Sequence, residues 1–156
     1  MIILKAGRSL ELALGGAVAT SECPWSVSWN DIGDTTFVPD GVSGTTAGAA
    51  AVTVAAAPGA GIKRQIKAFF LVNEDTADVA LTVRVKDAGP TYAVIEIILL
   101  VGFTLQYTDG EGWRVLDTTG AVMGVGPAGP VGPAGPAGPA GPEGEPGMVG
   151  APGPQG

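Results

Sequence analysis

Apolar and polar residues alternate with a period of two along most of positions 1–120, the spacing that sends successive side chains to opposite faces of a strand. Leu81, Val83 and Val85 fall on one face, and Thr82, Arg84 and Lys86 on the other. Trp25, Val27 and Trp29 alternate with Ser26, Ser28 and Asn30, and Leu10, Leu12 and Leu14 with Glu11 and Ala13. Shorter pieces of the same rhythm lie at Val52–Val54, Leu105–Tyr107 and Trp113–Val115. Segments 62–73 and 91–101 are more continuously apolar, which predicts central strands buried on both faces.

Turn-forming residues punctuate these runs: Asp31-Ile32-Gly33, Pro39-Asp40-Gly41, Pro58-Gly59, Asn73-Glu74-Asp75, Asp87-Ala88-Gly89-Pro90 and Asp109-Gly110. The stretch Tyr107 to Trp113 reads as a hairpin with a glycine-rich loop. The Ala-rich segment Thr46 to Ala57 has a Val-Thr-Val centre flanked by Gly48 and Pro58, which favours loop plus strand over helix. Eight or nine strands result, at roughly 10–12-residue spacing, the pattern of an all-β sandwich or jelly roll.

Composition changes the picture at the C-terminal end. Of 26 glycines and 13 prolines in 156 residues, 11 glycines and 9 prolines fall between Gly126 and Gly156. The glycines there keep a strict register of three: Gly126, Gly129, Gly132, Gly135, Gly138, Gly141, Gly144, Gly147, Gly150, Gly153 and Gly156. A flexible linker has no reason to hold such a register. Three polyproline-II chains wound together do, because only glycine fits at their common axis. Proline at 127, 130, 133, 136, 139, 142 and 154, and again at 146 and 152, fixes φ near the value that helix needs. The segment resembles collagen-like stretches of phage, bacterial and animal proteins. The predicted organisation is a β-sandwich trimerisation and anchoring domain over 1–120, a linker over 121–125 and a collagen-like stalk over 126–156, its axis lined by those eleven glycines. One chain cannot build a triple helix, so a homotrimer is expected.

Charge and reactive residues narrow the function. The chain carries a net charge of −7, against the basic surface that nucleic acid requires. It has no histidine, which removes the commonest general base and metal ligand. Its single cysteine, Cys23, allows no intrachain disulfide and reads as a small buried apolar residue. Carboxylates are scattered over turns: Asp31, Asp34, Asp40, Glu74, Asp75, Asp78, Asp87, Asp109 and Glu111. Asn73-Glu74-Asp75 with Asp78 lacks the spacing of a calcium loop. Glu96 stands inside an apolar run, either facing solvent or pairing at a subunit contact. Lys63, Arg64 and Lys67 form a basic cluster suited to an acidic neighbour subunit. No catalytic residue, cofactor or metal is expected, and the chain is read as a non-enzyme.

Ala17-Val18-Ala19 imitates a signal-peptide cleavage site, but Lys5, Arg8 and Glu11 interrupt the stretch before it. The longest apolar run, Ala93 to Phe103, has 11 residues, short of the ~20 that span a bilayer. The expectation is synthesis in the cytoplasm, with no membrane partner.

The run Leu10 to Thr20, then Ala55-Ala56-Ala57-Pro58, and Thr104 to Gly110 leading into Gly112 to Asp117, resembles a small domain of tailed-bacteriophage virion structural proteins. The likeness spans about residues 9–120. It implies a virion component assembled in the host cytoplasm, with the major capsid protein or tail proteins as partners. The favoured reading is a capsid decoration protein or head fibre. A tail-fibre or tail-adaptor stalk contacting the host cell surface is the alternative, and a bacterial surface collagen-like adhesin a further one.

Overall fold

A computed structural model describes residues 1–123. The collagen-like segment, with its axis glycines Gly126 to Gly156, lies outside the described residues. The described chain is all-β, with eleven strands: β1 Ile2–Leu4, β2 Ser9–Leu14, β3 Pro24–Ile32, β4 Phe37–Thr45, β5 Val52–Ala55, β6 Lys63–Val72, β7 Val79–Lys86, β8 Thr91–Leu99, β9 Thr104–Thr108, β10 Gly112–Leu116 and β11 Val122–Met123. They form two antiparallel sheets. One has the order β11-β10-β9-β6-β3-β4, with β1 also paired to β6; the other has the order β5-β2-β7-β8.

The period-two alternation decides which side chains meet between the sheets. Val42, Val27, Phe69, Tyr107 and Trp113 stand abreast across five strands of the larger sheet. Of these, Val27, Phe69 and Tyr107 are buried, and the Trp113 ring lies 5.7 Å from Phe69 and 5.0 Å from Tyr107. The next row runs Trp25, Leu71, Leu105, Val115 and Met123. Facing them, Leu10, Leu12 and Leu14 of β2 and Leu81 and Val83 of β7 supply the other half of the core. Gly44 is opposite Trp25, and a β-carbon there would lie 2.7 Å from the indole ring, so that position must stay bare.

β6 is central, as its apolar content predicts, sharing its first half with β1 and its second with β9. Only one of its faces is buried, however, since Phe69 and Leu71 point in while Phe70 is exposed. The expectation of a central strand over 91–101 is corrected. β8 is an edge strand, and its apolar content reflects an uncovered surface at Tyr92 and Ile98. Pro39-Asp40-Gly41 is likewise mid-strand in β4, where its composition predicts a turn. β4 is an edge, and an edge tolerates a residue that cannot donate to the ladder. The hairpin closing at Thr108–Gly112 forms as expected, with Gly110 and Gly112 at positive φ. β11 falls in the segment 121–125 expected as linker, because the Asp117–Ala121 turn folds the chain back onto β10.

Adjacent residues of β6 test the face assignment. Phe69→Ala should cost about 3–5 kcal/mol in denaturant unfolding, whereas Phe70→Ala should stay within roughly 0.5 kcal/mol of the parent. Equal losses would contradict the assignment.

Candidate functional site

Chain crossings between the sheets concentrate polar side chains at one end of the sandwich. The connections β2–β3, β4–β5, β6–β7 and β8–β9 each pass from one sheet to the other there. Asn73, fully buried, sits where they meet. Its Nδ2 donates to the carbonyls of Ala77 at 3.0 Å and Leu99 at 2.9 Å. Its Oδ1 accepts from the Asp75 N–H at 3.0 Å and the Cys23 thiol at 3.7 Å. Its own N–H donates to the Phe103 carbonyl at 2.9 Å, and its carbonyl accepts from the Gly102 N–H at 2.8 Å.

Asp75 extends this hub. It is 2 % exposed, and its carboxylate accepts from the N–H groups of Ala19 and Thr20 at 2.7 Å each, Ser21 at 3.3 Å and Thr76 at 2.8 Å. The Thr20 hydroxyl adds a further bond at 2.9 Å. The Ala19 N–H first, and then the Thr20 and Thr76 donors, hold this carboxyl well below the usual carboxylate range. These donors make the Asn73-Glu74-Asp75 segment a loop clamp. The β4–β5 connection joins through Thr46, whose hydroxyl accepts from the Cys23 N–H at 2.9 Å and donates to Glu22. Glu22 also accepts from the Gly48 N–H at 2.9 Å. Cys23 is buried, as expected, and burial above all pushes its thiol pKa up, away from reactivity.

At the opposite end, side chains expected to serve a neighbouring subunit are engaged within their own chain. Arg64 grips Asp31 with two bonds of 2.8 and 2.7 Å and lies 4.3 Å from the centre of the Trp29 ring. Lys67 reaches Asp109 at 2.6 Å, and that bond above all holds the Asp109 carboxyl below its ordinary value. This corrects the reading of the basic cluster for Arg64 and Lys67: β3 brings Asp31 and the Trp29 ring within reach of Arg64, and the turn after β9 brings Asp109 within reach of Lys67. Lys63 stays exposed. Arg8 pairs with Asp87 at 2.7 Å. Glu96 faces solvent on the outer side of the smaller sheet.

Sequence reasoning misses Glu11. Its position alternates outward, yet it is 4 % exposed, opposite Arg84 in the β2–β7 register. Arg84 approaches at 3.1 Å and Lys86 at 3.2 Å, so two cations close over it. The signal is present as Arg84 and Lys86 on one strand face, but the pairing of β2 with β7 is needed to read it.

Shallow depressions of about 470 and 410 Å³ lie on the outer face of the smaller sheet, around Ala80, Thr82, Ala93 and Glu96. Another, of about 200 Å³, lies beside Leu14, Ala17 and Asp75. Among the described residues, no three Cys, Asp or Glu side chains gather at metal-binding distance. Exposed apolar side chains include Phe37, Val38 and Val42 on β4, Tyr92 and Ile98 on β8, Leu100 and Val101 in the β8–β9 turn, and Val122 and Met123 on β11. The chain matches no protein family, no curated protein and no solved structure.

Carboxyls held in the folded chain make its stability depend on acid. The carboxyls of Asp75, Asp87, Asp109 and Asp117 are all depressed in the folded state. Their contribution is therefore complete above the unfolded value of about 3.9 and is lost as pH falls below it. Asp75→Asn should lower the melting temperature at neutral pH and flatten its decline between about pH 4 and 2. A decline as steep as the parent's would remove Asp75 from this role.

Proposed function

We propose that this chain is a structural protein of a bacteriophage particle: a homotrimer whose β-sandwich bodies attach to the virion and project a collagen-like fibre. The observation that carries the reading is the unbroken three-residue glycine register from Gly126 to Gly156, which follows a sandwich within a few residues. The register calls for three chains, and at ~3 Å per residue it would extend roughly 90 Å. With proline at only two third-triplet positions, 146 and 152, the triple helix needs help to form. A trimeric body supplies it by raising the local concentration of the three strands. The use of charge in the body supports the reading: Glu11, Asp31, Asp75 and Asp109 are each spent on holding strands and loops together. Threefold bodies suit threefold positions on a capsid, which favours a decoration protein or head fibre. The resemblance of residues 9–120 to phage virion proteins supports the particle itself.

Light scattering should give three times 15.4 kDa for the full chain, and the mass of one chain would overturn the trimer. Gly138→Val should remove the polyproline-II signature from circular dichroism while leaving the melting of the β body in place. Antibody labelling of purified particles should decorate capsids. Label confined to tails would favour the fibre-stalk alternative, and label absent from particles would reject a virion protein.

A further inference from the structure

We infer that the apolar edge formed by Leu100 and Val101 together with Val122 and Met123 is the surface on which the other two copies of this chain dock. The inference rests on the trimeric reading above. Two independent observations meet at this edge.

The first is reach. Chains in a triple helix pack around one shared axis, so three copies of Gly126 must come together. Gly126 follows Met123 by three residues, and a fully extended chain of that length spans about 10 Å. Each body must therefore present β11 close to the threefold axis. Exposed apolar residues also lie at Tyr92 and Ile98 on β8, in the other sheet, and at Phe37, Val38 and Val42 of β4, five strand spacings away across the same sheet. At ~4.8 Å each, that is well beyond the tether.

The second is the surface that β11 presents. Val122 is 61 % exposed, Val101 45 %, and Leu100 and Met123 44 % each. Thr104, Leu116 and Val122 stand abreast on β9, β10 and β11, and the chain preceding Thr104 is the turn bearing Leu100 and Val101. That turn closes through a bond from the Phe103 N–H to the Leu100 carbonyl. Gly102 abuts the Asp117–Ala121 turn so closely that a β-carbon on it would lie 2.8 Å from the Thr118 methyl. The turn bearing Leu100 and Val101 thus abuts the turn that leads into Val122 and Met123. The flanking acids are already partnered: Asp78 accepts from the Val101 N–H at 3.1 Å, and Asp117 from Thr119 and Ala121 within its own turn. Among the described residues, β11 ends the larger sheet with an unpaired side.

The test separates this surface from the trimer itself. Full-length chain carrying Gly135→Val and Gly144→Val, which break the repeat, should still scatter as three chains. Adding Val101→Glu and Val122→Glu should reduce the mass to one chain whose body still unfolds in a single cooperative transition. Leu100→Lys with Met123→Lys should do the same, should the first pair fail to fold. Val38→Glu with Val42→Glu, in the same background, should leave three chains. A trimer that survives both edge pairs overturns the inference, as does one lost only through Val38 and Val42. A chain that is trimeric only with its repeat intact also overturns it. An unmodified chain that is monomeric overturns the trimeric reading beneath it.

Discussion

The buried amide of Asn73, joined through its Oδ1 to the backbone of Asp75, is the constraint on which the sandwich depends. A two-sheet fold must pass its chain repeatedly from one layer to the other, and each crossing carries backbone groups out of the ladders. Here four crossings converge at one end, and Asn73, in the β6–β7 crossing, uses both ends of its amide, its N–H and its carbonyl to bind the β2–β3 and β8–β9 crossings. Asp75 then gathers the β2–β3 connection through successive N–H groups of Ala19, Thr20 and Ser21. These are local polar contacts with long-range consequences. The Phe103 and Gly102 bonds to Asn73 set the position of the β8–β9 turn, and with it Leu100 and Val101.

Charge follows the same logic of internal use. Arg64 with Asp31, Lys67 with Asp109, and Arg84 and Lys86 with Glu11 each tie neighbouring strands of one sheet, or a strand to a turn. Exposed apolar side chains remain at sheet edges, among them Phe37, Val38 and Val42 on β4, Tyr92 and Ile98 on β8, and Val122 and Met123 on β11. An edge needs a partner or a protective device, and a permanent assembly of identical chains is one such partner.

Much of this architecture is legible in the sequence. The alternations at Trp25–Trp29 and Leu81–Val85 place strands and faces correctly, because a half-buried antiparallel strand imprints its period on the residues. The 91–101 run misleads, because continuous apolarity records removal from water without saying what removes it. Pro39-Asp40-Gly41 misleads for a related reason, since turn chemistry and an unpaired edge tolerate the same residues. The Asn73–Asp75 hub is visible in the sequence only as a turn. Its partners lie up to 56 residues away, and nothing in local composition encodes which loops converge on it. The buried Glu11 is hidden similarly, because only the β2–β7 register reveals the cations above it.

The sandwich and the repeat carry complementary demands. A short glycine-register rod forms more readily when its three chains are already held together, and a body with a bare apolar edge gains by being one of three. Solution X-ray scattering of the full-length protein tests that account most directly. It should return the mass of three 15.4 kDa chains. The mass of one chain would contradict it.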